Sequence, residues 1–107
     1  MTDINVEELK QKLDNHEDFL LIDVREPNEY DIVSIPGAVL IPKNEFLMGD
    51  ALTKMPTDKQ IVLHCKVGGR SAEVLAAVKG AGFKDAIHVG GGILAWVSRI
   101  EPEKPSY

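Results

Sequence analysis

The sequence predicts an α/β domain in which a parallel sheet is covered by helices on both faces. Three observations point there. Short apolar runs without polar alternation, such as Phe19–Val24 and Gln60–His64, read as strands buried on both sides. Between them lie segments whose apolar residues recur at helical spacing, and Gly, Asn and Pro mark the joints. Strands alternating with helices imply parallel pairing through crossover connections.

In chain order, Asn5 caps a first helix with Glu8 three residues on, and Val6, Leu9 and Leu13 fall on one of its faces. Phe19–Val24 is the first strand. Glu26–Val33 reads as a short helix with Pro27 in its first turn, where the missing N–H costs nothing. Ala38–Pro42 is a second strand, stopped by its proline, and Asn44–Lys54 is read as another short helix. Gln60–His64 is the third strand. Ser71–Ala81 carries Val74, Leu75 and Val78 on a helical face, and Gly80 and Gly82 mark its end. Ala86–Val89 is the fourth strand, followed by three glycines and a helix containing Ile93, Trp96 and Val97. A polar, proline-containing tail, residues 101–107, closes what reads as one domain over 1–107.

At 107 residues the chain is long enough to bury a core without metals or disulfides. A net charge of −5 argues against non-specific nucleic-acid binding, which needs a basic face. Runs such as Phe19–Ile22 are far shorter than the roughly 20 residues a bilayer span requires, so no membrane segment is expected. No basic leader with an apolar segment is seen, and the single cysteine fits a reducing compartment; a cytoplasmic protein is the expectation. His16, His64 and His88 are well separated and show no metal-ligand spacing with Cys65, so neither metal nor cofactor is expected.

The chemistry concentrates in Cys65-Lys66-Val67-Gly68-Gly69-Arg70, between a strand end and a helix start. In a parallel α/β sheet, sites form beyond the carboxyl ends of strands. A thiol is nucleophilic as thiolate, and positive surroundings lower its pKa from about 8.5. Here a helix N-terminus, the convergent N–H groups that Gly68 and Gly69 allow, and the cations Lys66 and Arg70 all qualify. Phosphate-cleaving cysteine loops place five residues between Cys and Arg, whereas this chain places four. His64 need not approach the thiol, since neighbours on a strand point to opposite faces. Trp96 is read as packing and His88 as a strand residue without a chemical role.

At these residues the sequence resembles the rhodanese (sulfurtransferase) family. Leu21–Tyr30, "LIDVREPNEY", Ile35–Pro42, "IPGAVLIP", the Cys65 loop with its flanking strand and helix, and His88–Trp96, "HVGGGILAW", resemble four family elements in the family's order. Where family members commonly carry Gly-His-Ile, this chain has Val33-Ser34-Ile35, so Ser34 inherits no role. The resemblance implies a rhodanese-like three-layer fold. It further implies that Cys65 carries sulfane sulfur as a persulfide and that Lys66, Val67, Gly68, Gly69 and Arg70 form the substrate cradle. Asp23 and Arg25 match the signature and are expected to support the loop through an ion pair. The loop style and the tail ending in Tyr107 are similar to the C-terminal rhodanese domain of adenylyltransferase/sulfurtransferases that activate sulfur-carrier proteins, for molybdopterin among other pathways. On that likeness the chain is a domain of such a protein or a free-standing relative.

The expected activity is transfer of sulfane sulfur from thiosulfate or a protein persulfide, such as that of a cysteine desulfurase. The acceptor is a nucleophile or a ubiquitin-like sulfur-carrier protein. The competing readings are a phosphatase or arsenate reductase of the same fold, against which the shorter loop counts, and a non-catalytic interaction module, against which the retained cysteine counts.

Overall fold

The structure is a computed structural model that describes residues 2–107. In chain order it forms β1 (Asp3–Ile4), α1 (Val6–Asp14), β2 (Phe19–Asp23), α2 (Pro27–Ile32), β3 (Val39–Leu40), α3 (Lys43–Leu47), α4 (Ala51–Lys54), β4 (Gln60–His64), α5 (Gly69–Gly80), β5 (Ile87–Val89) and α6 (Gly92–Arg99). The strands make one parallel sheet in the order β1-β5-β4-β2-β3, the α/β architecture the sequence predicts.

Local chemistry accounts for the helix starts. The Glu8 N–H donates to Asn5 Oδ1 at 2.8 Å while the Asn5 N–H donates to Glu8 Oε1 at 3.0 Å, a complete capping box for α1. Pro27 opens α2. Several elements differ from the sequence reading, among them the second strand, which is Val39–Leu40 and not Ala38–Pro42. β1 is two residues long, too short for any periodicity to show, and is held by its pairing with β5. The expected 44–54 helix is two helices, because the Met48 and Gly49 N–H groups both turn back to the Asn44 carbonyl and end α3. α5 begins at Gly69, two residues before Ser71.

Successive residues of the central strands face opposite layers, as a pleated strand requires. Leu21 and Val62 join a core with Val6 and Leu9 of α1 and Ile93, Trp96 and Val97 of α6. Ile22, Ile61 and Leu63 join another with Phe46 of α3 and Val74, Leu75 and Val78 of α5. Trp96 is thus packing, as read.

The topology also selects a location. From β2 the chain moves out to β3, whereas from β4 it moves the other way to β5. The carboxyl ends of the adjacent strands β2 and β4 therefore face a crevice between diverging connections, where open parallel sheets place ligands. Val24-Arg25 leaves one of these ends and Cys65 the other.

Candidate active site

Cys65 is 1% exposed, and its sulfur is ringed by backbone donors. The Gly68 N–H reaches Sγ at 3.1 Å and the Ser71 N–H at 3.4 Å. Gly68 does this with φ +131°, a conformation other residues rarely adopt, which lets the chain fold back over the sulfur before α5 begins. Burial pushes the thiol up, but hydrogen bonds from Ser71, Gly68 and Val67 outweigh it and hold the Cys65 pKa below the usual cysteine value. The thiol also lies 3.6 Å from Ser71 Oγ. Ser71 Oγ in turn reaches the Gly68 carbonyl at 3.2 Å and His88 Nδ1 at 2.9 Å.

The loop is held from behind by α6. The Ile93 N–H donates to the Cys65 carbonyl at 2.9 Å and the Leu94 N–H to the Lys66 carbonyl at 3.2 Å. This approach requires glycine at position 92. A Cβ there would lie 2.4 Å from the Cys65 carbonyl oxygen and 2.5 Å from that of Lys66, and φ is +55°. Two helix N-termini therefore meet the loop, one donating to the sulfur and one to the carbonyls beside it.

The two cations of the loop are both engaged. Arg70 grips Glu29 with two parallel bonds, Nη1 to Oε1 at 2.7 Å and Nη2 to Oε2 at 2.9 Å. Lys66 Nζ stands 4.4 Å from the centre of the Tyr107 ring. The Tyr107 hydroxyl donates to Glu29 Oε2 at 2.7 Å and accepts from Arg25 Nη1 at 2.7 Å. The bonds from Arg70, aided by that of Tyr107, overcome burial and hold the Glu29 carboxyl at a pKa of about 2. Burial, with the Glu29 carboxylate close by, pushes the Tyr107 phenol up.

Below lies the buried ion pair expected from the sequence. Arg25 Nη2 bonds Asp23 Oδ2 at 2.6 Å and the Val33 carbonyl at 2.7 Å, with both ionic side chains fully buried. Burial disfavours the Arg25 cation, yet its bonds to Asp23 and Tyr107 raise its pKa above the ordinary arginine value. His64 belongs to this layer and not to the thiol: its Nε2 stands 3.8 Å from Asp23 Oδ2 and its Nδ1 3.4 Å from the Cys65 carbonyl. Burial lowers its pKa, against the pull of the Asp23 carboxylate. Ser34 enters only through its carbonyl, which Lys104 approaches at 3.5 Å.

The structure thus brings Cys65, Val67 and Gly68 together around one sulfur and turns Arg70 and Lys66 toward Glu29 and Tyr107. Glu29, Ser71, His88, Gly92 and Tyr107 escaped the sequence reading as site residues. The contact of Glu29 with Arg70 spans 41 residues and that of Ser71 with His88 spans 17, so no local pattern exposes those pairings, although Ser71 itself follows directly on Arg70. Among the described residues no three His, Cys, Asp or Glu side chains gather as a metal would require. No described helix is long and apolar enough to cross a membrane.

A parallel α/β domain that ends a central strand in a thiol met by backbone N–H groups defines the site as a cysteine loop between strand and helix. The chain belongs to the rhodanese family: the model described as "Rhodanese-like domain" matches residues 5–99. It is 52% identical over 104 residues to a probable adenylyltransferase/sulfurtransferase, MoeZ, from Mycobacterium tuberculosis, covering 97% of this chain but only 26% of that protein. It is 38% identical to the putative sulfurtransferase YtwF of Bacillus subtilis, covering 94% of this chain and 95% of the relative. Its fold is similar to the crystal structure of a rhodanese-like domain protein from Staphylococcus aureus, with a TM-score of 0.80, 34% identity, and 90% and 91% of the two chains covered. The family and the sulfurtransferase names of these relatives support sulfur transfer as the general activity.

Proposed function

We propose that the domain transfers sulfane sulfur through a persulfide on Cys65. The observation that carries this reading is the sulfur itself, buried and met by the Gly68 and Ser71 N–H groups at 3.1 and 3.4 Å. A thiolate, or the terminal sulfur of a persulfide, is an anion that such preorganised donors stabilise without reorganisation at the moment of reaction. Cys65 attacks the outer sulfur of the donor, the donor's S–S bond breaks, and the terminal sulfur stays on Cys65. An acceptor nucleophile then takes it.

The cradle is the backbone from Lys66 to Arg70, and its charge is partly spent. Arg70 is committed to Glu29 by both of its forks, so it offers no free bidentate grip to a phosphoryl group. That supports sulfur over phosphorus, in line with the short loop. Lys66, half-buried and lying against the Tyr107 ring, is the remaining cation for steering a small anionic donor such as thiosulfate. The likeness to MoeZ and to the adenylyltransferase and sulfurtransferase uba4 of Ogataea parapolymorpha supports a sulfur-carrier protein as acceptor in carrier-dependent biosynthesis, such as that of molybdopterin. A cysteine desulfurase persulfide is the matching donor in the cell.

Steady-state kinetics with thiosulfate as donor and cyanide as acceptor test the reading. A covalent sulfur intermediate gives parallel double-reciprocal lines, lost in Cys65→Ser. Intersecting lines, or turnover that survives the substitution, would refute it.

A further inference from the structure

The hydroxyl of Ser71 stands between two groups with acid–base chemistry. On one side the Cys65 thiol is 3.6 Å from Oγ; on the other, His88 Nδ1 is 2.9 Å away. The three groups come from the end of β4, the first turn of α5 and the middle of β5. Cys65 and Ser71 are buried and His88 is half-buried, so this chain of polar atoms runs from an enclosed thiol to an imidazole with access to solvent. A hydroxyl donates and accepts at once, so it passes a proton on without keeping it. Histidine is the side chain whose charge changes near neutral pH.

We infer that His88 is a positioning residue for Cys65, accepting through the Ser71 hydroxyl the proton that the thiol loses on becoming a nucleophile. The inference rests on the reading of Cys65 as the sulfur-carrying residue. In the step, the S–H bond breaks and leaves its electron pair on sulfur. Ser71 Oγ takes that proton and gives its own to Nδ1, forming an imidazolium. The sulfur's pair forms the new S–S bond to the donor's outer sulfur, and the donor's old S–S bond breaks with its pair on the departing group. The imidazolium proton leaves to solvent or to that group. No oxidant is consumed, because the sulfane sulfur arrives with the donor. After transfer, Nδ1–H donates to Ser71 Oγ and the hydroxyl donates to the thiolate, so the same atoms serve both states. The Gly68 carbonyl, 3.2 Å from Oγ, is the alternative acceptor for the hydroxyl proton.

The charged groups around His88 agree with this role. Asp3 is the charged residue opposite it in register on β1. On β4, His64 is turned to Asp23, and on α5, Arg70 is pinned by Glu29. Neither competes for Nδ1.

The test reads the thiol and the imidazole separately from sulfur transfer. The rate of Cys65 alkylation by iodoacetamide is followed across the histidine range, about pH 5 to 8. Ser71→Ala and His88→Asn are each expected to slow alkylation about tenfold at the acid end, a shift of about one unit in the thiol midpoint. Because they act in one chain, the double variant is expected to be no slower than the slower single variant. An unchanged profile in either variant, or effects that multiply, overturns the inference.

A second arm needs no substitution at either position. The His88 ring signal is titrated by NMR before and after alkylation of Cys65, which removes the thiolate. Its midpoint is expected to fall, and an unmoved midpoint overturns the relay. Neither arm involves a sulfur donor, so loss of the persulfide reading and loss of the relay register as different results.

Discussion

Replacing Gly92 by alanine is the sharpest perturbation of the way α6 holds the Cys65 loop. Two costs add at this position. The residue sits at φ +55°, and a side chain in the left-handed region costs about 1 kcal/mol or somewhat more. The new Cβ would also stand 2.4 and 2.5 Å from the Cys65 and Lys66 carbonyl oxygens, backbone atoms that cannot rotate away. Forcing an extra carbon into such a contact typically costs about 1–3 kcal/mol. The sum, about 2–4 kcal/mol, is a large share of the roughly 5–15 kcal/mol that stabilises an average domain.

Two other glycines separate the contributions. Gly37 shares the positive φ, at +87°, but a Cβ added there would meet nothing within 4 Å, so Gly37→Ala reads the backbone cost alone, about 1 kcal/mol. Gly80, at the end of α5, has neither feature, and Gly80→Ala is expected to be neutral or to stabilise by up to about 0.5–1 kcal/mol. Urea denaturation with an unchanged slope gives all three values. If Gly92→Ala costs no more than Gly37→Ala, the close approach of α6 to the loop is immaterial and the assignment of Gly92 is wrong.

Further outcomes follow from the Glu29 cluster and the buried histidine. Tyr107→Phe strips one partner from the buried Arg25 guanidinium and one from Glu29, and about 1–2 kcal/mol of stability should be lost in the same denaturation assay. The Glu29 carboxyl has its pKa lowered to about 2, so it contributes stability that is fully present above the ordinary carboxylate pKa and fades as pH falls toward 2. Glu29→Gln should flatten stability across that acid window, and an unchanged slope there would contradict the role given to Arg70 and Tyr107. His64 has its pKa lowered by burial, so its contribution is present above the ordinary histidine value of about 6.5 and is lost as pH falls. Denaturation midpoints taken between neutral and mildly acidic pH should therefore decline in the wild type and decline less in His64→Phe.

Much of this architecture is legible in the chain itself. Strands buried on both faces announce themselves as unbroken apolar runs, and β2 and β4 are visible that way, while β5 shows as Ile87 and Val89 either side of His88. Asn5 and Glu8 mark the start of α1 because capping is local chemistry. Cys65, Gly68 and the helix beginning beyond them are legible for the same reason, being packed into a few consecutive residues. The Asp23–Arg25 pair also sits close in sequence, within two residues.

What stays hidden is whatever the topology assembles. β1 exists only because β5 offers it an edge. Nothing near Arg70 shows that its fork is taken by Glu29, or that the chain's last residue, Tyr107, returns to lie against Lys66. His88 reads as an ordinary strand residue until β5 is set beside the first turn of α5 and Ser71 comes within reach. Gly90, Gly91 and Gly92 read only as glycines between a strand and a helix. Only the approach of that helix to the Cys65 loop shows why position 92 admits no side chain.

On the reading proposed above, the sulfur cupped by Gly68 and Ser71 receives and holds a second sulfur. Intact mass spectrometry of the domain after incubation with thiosulfate and removal of excess donor addresses it without any coupled reaction. The wild type should gain the mass of one sulfur atom, lose it on brief exposure to cyanide, and show no gain as Cys65→Ser. A wild type that gains nothing, or a Cys65→Ser protein that gains the same mass, would mean that Cys65 is not the sulfur carrier.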